Sequence, residues 1–280
     1  MTKVSIVTDS TADLPLAVTE KLGIHVVPLK VHFGEEEYLD WVELDSESFY
    51  TKLHSSDIMP RTSQPSPADF EAVYNKIGKD NPIISLHLSA KLSGTCQSAQ
   101  IAKSTLDTLD IEVIDTKLAS MALGIVVIEA ARAANEGKGK EEILDQINKN
   151  IQVTKIFFGV DTLEYLQKNG RIGKASALLG GMLNVKPLLM LKDGVILPKE
   201  KVRGRGKLMD RLVDIISEDL GSDVKGKVVI MHGNVLNDAL KLKEKIDQKY
   251  NFSEVIITSL GAVIGTHTGP GVLGIAVLPE

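Results

Sequence analysis

Four short segments bring together residue types that can do chemistry. The run Arg61-Thr62-Ser63-Gln64-Pro65-Ser66-Pro67 sets hydroxyls behind an arginine and ahead of a helical pattern. Leu92-Ser93-Gly94-Thr95 does the same after an apolar strand. Each has a structural reading, with Ser66 as N-cap and Pro67 in the first turn, and Ser93 as a second N-cap. A helix start also offers free amides and a positive dipole end, which suit a carboxylate or phosphate. Gly265-Thr266-His267-Thr268-Gly269-Pro270-Gly271 puts His267 between threonines on a glycine-rich turn, and histidine can donate to an anion whether neutral or charged. Asp9-Ser10-Thr11-Ala12-Asp13 follows the first strand, where α/β folds place ligands. Asp9 therefore reads either as a phosphoryl nucleophile or as part of a helix start. In the second case Ser10 or Thr11 is the cap, Asp13 closes a capping box and Pro15 lies in the first turn.

The common catalytic signatures fail. Gly170-Arg171-Ile172-Gly173-Lys174 resembles a phosphate loop only loosely, since Lys168 stands where the earlier glycine belongs and Ala175 follows the lysine. No His-Glu-x-x-His or Gly-x-Ser-x-Gly occurs, and the six histidines do not pair on one helical face, so no metal site is expected. An Asp9 phosphotransferase would need a metal and more carboxylates, yet position 11 is threonine. No catalytic residue is assigned.

These segments need a scaffold. Short runs rich in β-branched residues at 4–8, 26–32, 82–87, 111–115 and 156–160 alternate with helical spacing at 12–22, 67–77, 94–106, 118–136 and 141–150. Strands interleaved with helices predict a parallel sheet with helices on both faces over residues 1–155. Residues 156–280 predict a mixed sheet. Strands at 188–191 and 195–197 flank the Lys192-Asp193-Gly194 hairpin, strands at 227–232 and 254–258 bracket a charged helix at 239–250, and a strand closes at 274–278. The expectation is a two-domain α/β protein. Residues 175–185 read as an uncharged helix carrying Gly180-Gly181, and Cys96 as a small buried hydrophobe.

A chain of 280 residues with 43% hydrophobic and 25% charged residues has a soluble globular balance, and its net charge of -5 disfavours nucleic acid. The single cysteine excludes an internal disulfide and suits a reducing compartment, so a cytoplasmic location is expected. The opening residues lack the layout of a secretory signal. Residues 255–279 carry no Asp, Glu, Lys or Arg, but the polar centre at 266–271 argues for two strands around a loop, not a membrane span.

Taken together, Val7-Thr8-Asp9-Ser10-Thr11-Ala12-Asp13, Thr62-Ser63-Gln64-Pro65-Ser66, Leu92-Ser93-Gly94-Thr95, Asn169-Gly170-Arg171-Ile172 and the segment 265–271 resemble the DegV family over the whole chain. The resemblance implies two α/β domains with a long-chain fatty acid between them and no cofactor. It also implies a carrier role, in which the bound carboxylate is presented to a separate ATP-dependent kinase subunit that makes an acyl phosphate. By motif match Thr62 and Ser93 would hold the carboxylate and His267 would complete the polar end. About a dozen buried methylenes at ~0.8 kcal/mol each give roughly 10 kcal/mol of gross affinity. Arg171 and Arg203 lie in basic, glycine-flanked segments of an acidic chain. They read as solvated loop charge or as a docking face for the kinase or for a transient contact with anionic lipid. The rival functions are a self-contained phosphotransferase or phosphatase using Asp9, and a carrier of some other apolar ligand.

Overall fold

The computed structural model describes residues 3–180 and 184–280. Its strands are β1 (Ser5–Asp9), β2 (His25–Val27), β3 (Lys30–Phe33), β4 (Glu36–Leu39), β5 (Arg61–Ser63), β6 (Ile83–His87), β7 (Ile111–Asp115), β8 (Lys155–Gly159), β9 (Val185–Lys192), β10 (Val195–Arg203), β11 (Gly226–His232), β12 (Glu254–Ser259) and β13 (Leu273–Pro279). They form a parallel sheet in the order β2-β1-β6-β7 and a mixed sheet in the order β10-β9-β8-β13-β11-β12. Within the mixed sheet only β11 and β12 run parallel, with Lys227 opposite Glu254. A small antiparallel sheet, β4-β3-β5, stands apart from both.

The helices are α1 (Leu16–Leu22), α2 (Ser46–Ser55), α3 (Pro67–Ile77), α4 (Thr95–Thr105), α5 (Met121–Asn135), α6 (Lys140–Val153), α7 (Glu164–Lys168), α8 (Arg205–Leu220), α9 (Leu236–Lys249) and α10 (Ala262–Thr268). α5 explains how the two large sheets are joined. Its sequence is apolar all round, so it can be covered on every side. Only Glu129, Arg132 and Asn135 escape full burial, and the helix packs against β1 and β6 on one side and β11 and β13 on the other. α3 and α4 cover the other face of the parallel sheet through Phe70, Tyr74, Cys96 and Ala99. The amphipathic α8 and α9 cover the far face of the mixed sheet through Leu208, Leu212, Ile216, Leu242 and Ile246. Ser66 caps α3 in a capping box with Asp69, and Pro67 opens the helix, as its sequence predicts.

Several elements depart from the sequence reading. The strand expected at 26–32 is two strands in different sheets, because Pro28 lacks the N–H that a continuous ladder requires. The helix expected from residue 12 starts at Leu16. Asp9, and not Ser10 or Thr11, caps a single 3-10 turn at Ser10–Ala12, and Asp13 then takes φ 52° and ends it. The helix expected at 175–185 is a 3-10 segment over Gly173–Leu178, with Gly180 at φ 83°, where the paired glycines give a helix little support. Residues 181–183 lie outside the described residues. The Asp193-Gly194 hairpin forms as expected, both residues adopting positive φ, but its strands run longer than predicted. The apolar stretch at 255–279 contains β12, α10 and β13, and among the described residues no helix is long and apolar enough to cross a membrane.

Candidate functional site

A cavity of about 360 Å³ opens between the two large sheets. Its body is apolar, walled by Leu88 of the parallel-sheet half, Ile156 and Phe158 of β8, Leu191 of β9, Met231 of β11 and Val272. Polar side chains gather at one end. Thr62 comes from β5, Ser93 from the turn before α4 and His267 from the last turn of α10. Thr62 Oγ1 lies 2.9 Å from His267 Nε2, although 205 residues separate them in sequence. Ser93 Oγ lies 2.9 Å from Thr95 Oγ1 and accepts from the Thr95 amide, so the N-cap position passes to Gly94. His267 stands on a helix, not on the glycine-rich turn its sequence suggests; that turn begins at Gly269.

The electrostatics of this end favour neutral donors. Burial, reinforced by the guanidinium of Arg171, pushes the His267 pKa down to about 3, so the ring is neutral at physiological pH. Its Nδ1 is buried without a hydrogen-bond partner among the described residues. A neutral imidazole and two hydroxyls can donate to a carboxylate without pairing it as a buried cation would. Asn169 and Arg171 brace the segments that carry Ser93 and His267. Asn169 Nδ2 donates to Thr266 O at 3.0 Å, and Arg171 donates through Nε to Leu92 O and through Nη1 to Asn169 O. Arg171 is exposed and still lines the cavity, close enough to His267 to act on its ring. Arg203 does not line the cavity; it ends β10, opposite Val185.

α10 is held at its other end by two buried carboxylates. Asp13 Oδ1 accepts from Gly261 N at 2.9 Å, and Asp40 Oδ1 accepts from Ala262 N and Val263 N at 2.9 and 3.3 Å. Asp13 also accepts from Ser120 Oγ, another residue of the cavity wall. Burial raises the Asp13 pKa to about 7 against the pull of the Ser120 and Gly261 bonds. Burial, and then the neighbouring Asp13, raises that of Asp40 to about 8.

Comparison with known proteins places this arrangement. The model of the DegV family, described as one of uncharacterised proteins, matches residues 3–280. Protein DegV of Bacillus subtilis is 37% identical over 274 residues, covering 97% of this chain and 98% of the relative. The chain belongs to the DegV family. Among solved structures, a fatty-acid-binding DegV family protein from Thermus thermophilus superposes with a TM-score of 0.94 at 34% identity, covering 99% of this chain and all of that one. DegV of Bacillus subtilis, described as a fatty acid binding protein, gives a TM-score of 0.89 at 35% identity with both chains fully covered. A stearic-acid-binding protein from Eubacterium ventriosum gives 0.87 at 27% identity, covering 99% and 98%.

Within this DegV fold, Asp9 is badly placed for a nucleophile. It is fully buried, with Oδ1 taken by Thr11 and Oδ2 by Leu88 N and His87 Nδ1. His87 Nε2 lies 2.7 Å from Ser85 Oγ, which also accepts from Tyr74 OH. The Asp-His-Ser order resembles a hydrolase triad, yet all four side chains are sealed in the core and already satisfied. Cys96 is buried and its thiol pKa is pushed up to about 11, so it is a poor nucleophile. Sequence reasoning missed Ser63, Gln64 and Ser120 as cavity residues. The first two sit in the hydroxyl-rich run it had singled out; Ser120 carried no signal.

Proposed function

We propose that this protein is a carrier that buries one long-chain fatty acid in the cavity between the sheets, with Thr62, Ser93 and His267 around the carboxylate. The observation that carries the reading is the Thr62–His267 contact, which puts neutral donors together in the wall of a largely apolar cavity. Cavities of a few hundred Å³ with few convergent polar groups are typical of small-ligand sites. Relatives described as fatty-acid-binding proteins, similar over their whole length, support the ligand class. In this reading the chain forms two domains that divide near Lys155, and it works in the cytoplasm without a cofactor.

In this reading the carboxylate end lies near the exposed Arg171, which also lines the cavity. A carboxylate held by neutral donors keeps oxygen lone pairs available to attack a phosphoryl group delivered from outside. We infer that a separate ATP-dependent kinase subunit performs that step, and that Arg171 and Arg203 dock it, with transient contact to an anionic membrane surface as a secondary role for the same charges. Reconstitution with the cognate kinase tests this: acyl phosphate should form only when lipid-loaded carrier is present. Kinase turnover of free fatty acid at the same rate would refute it.

A further inference from the structure

Of the described residues that line the main cavity, only Gln64 and Arg171 are exposed. Gln64 lies just past β5, and its side chain reaches α4, where Nε2 donates to Ser98 Oγ at 3.1 Å. On the way it lies over Gly94. A Cβ on Gly94 would come 2.6 Å from Nε2 and 2.7 Å from Cδ of Gln64, nearer still to Oε1, and its three nearest neighbours all belong to this one side chain. Backbone conformation does not call for glycine here: Gly94 has φ -77° and ψ 8°, values that residues with side chains adopt in ordinary turns. The close approach of Gln64 is what explains the glycine of Leu92-Ser93-Gly94-Thr95.

We propose that Gln64 is a positioning residue for the carboxylate site: it clamps the segment that carries Thr62 to the helix start that carries Ser93, and Gly94 is the gap that lets it lie there. The inference rests on the fatty-acid reading of the cavity and names a further residue on which that site depends. Thr62 belongs to a three-residue strand of the small sheet, whereas Ser93 belongs to the turn between β6 of the parallel sheet and α4. Their hydroxyls must converge on one carboxylate, and a hydrogen bond weakens steeply once its donor is misaligned. A bond from the residue after Ser63 to the first turns of α4 fixes the two segments before the ligand arrives, which lowers the ordering cost of binding. Gln64 acts through Ser93 and not on the ligand, because its amide donates to Ser98, a buried residue outside the cavity lining.

Palmitate affinity is measured on delipidated full-length protein by displacement of a fluorescent fatty acid, with thermal melting of each sample as the folding control. Gln64→Ala should raise Kd about tenfold. Gly94→Ala should do the same, because the new methyl group drives off the flexible end of Gln64 and breaks its bond to Ser98. The two losses share one cause, so Gln64→Ala with Gly94→Ala should bind as each single variant does, and Gln64→Ala should cause no further loss in a Ser93→Ala background. Parental Kd in folded Gln64→Ala overturns the proposal, as do losses that multiply to about a hundredfold in the Gln64→Ala, Gly94→Ala variant. A further tenfold loss in the Ser93→Ala background overturns it too, since it makes Gln64 a direct contact of the ligand. If Gly94→Ala fails to fold, Gln64→Ala and its pairing with Ser93→Ala decide alone. A parent that takes up no palmitate overturns the fatty-acid reading and this inference with it, whereas variants equal to a parent that binds overturn this inference only.

Discussion

Replacing Thr62 and Ser93 by alanine together removes two hydroxyls from the polar end of the main cavity, and the structure lets the two consequences be separated. Thr62 contributes to its sheet through the backbone pairing of β5 with β3, while its side chain faces His267. Among the described residues the Ser93 hydroxyl bonds only locally, to Thr95. Each native hydrogen bond lost in the free protein is worth about 1 kcal/mol, so the double variant should still fold cooperatively, with a modest fall in Tm. Binding suffers more. A carboxylate removed from water and deprived of a donor costs about 1–3 kcal/mol per lost partner. Two partners give about 2–6 kcal/mol, so even the low end raises Kd about 30-fold. Displacement of a fluorescent fatty acid measures this, with thermal melting of the same samples as the folding control. Parental Kd in the folded double variant would remove Thr62 and Ser93 from the carboxylate site and refute the reasoning.

Asp13 and Asp40 have folded-state pKa values of about 7 and about 8 against 3.8 for the free side chain, so the folded state holds extra protons between those limits. Their contribution to stability is full below about pH 4 and is lost as pH rises through 7 to 8. Asp40→Asn should therefore gain stability relative to the parent between pH 5 and 8 by melting temperature; a constant difference across that window would contradict the assignment. Gly265→Ala would set a Cβ 2.5 Å from the Phe49 ring and 3.0 Å from Tyr50 OH, forcing α10 away from α2. It should lower stability by about 1–3 kcal/mol and weaken fatty-acid binding through His267, both of which unchanged melting and binding curves would exclude. Arg171→Ala with Arg203→Ala should keep bound lipid yet lose acyl phosphate formation with the cognate kinase, as raised salt does to the parent; full turnover in that assay would sink the docking role.

Much of this fold is written in local pattern. β6, with a fully buried Ile-Ile-Ser-Leu-His run, and α5, apolar around its whole circumference, are legible because burial on every side needs no partner to be guessed. The small sheet is not legible. β4 and β5 are short, and β4 begins Glu-Glu, so neither alternation nor β-propensity marks them. The segments carrying Thr62, Ser93 and His267 stand out as hydroxyl or histidine clusters at element starts, but their convergence is a property of the fold. His267 reaches the cavity because Asp13 and Asp40 grip the start of α10 across more than 220 residues of sequence. Asp13 reads as the closing residue of a capping box because the pattern Ser-Thr-x-Asp is the same for a helix start and for a long-range clasp; its φ of 52° and its bonds to Gly261 N and Ser120 Oγ distinguish them.

The central claim is that the cavity between the sheets holds a fatty acid, and extraction of the purified protein with organic solvent followed by mass spectrometry tests it most directly. About one equivalent of long-chain fatty acid should be recovered from protein expressed in bacteria, and less from the Thr62→Ala, Ser93→Ala variant. Lipid-free protein that also fails to take up added palmitate or oleate would contradict the account.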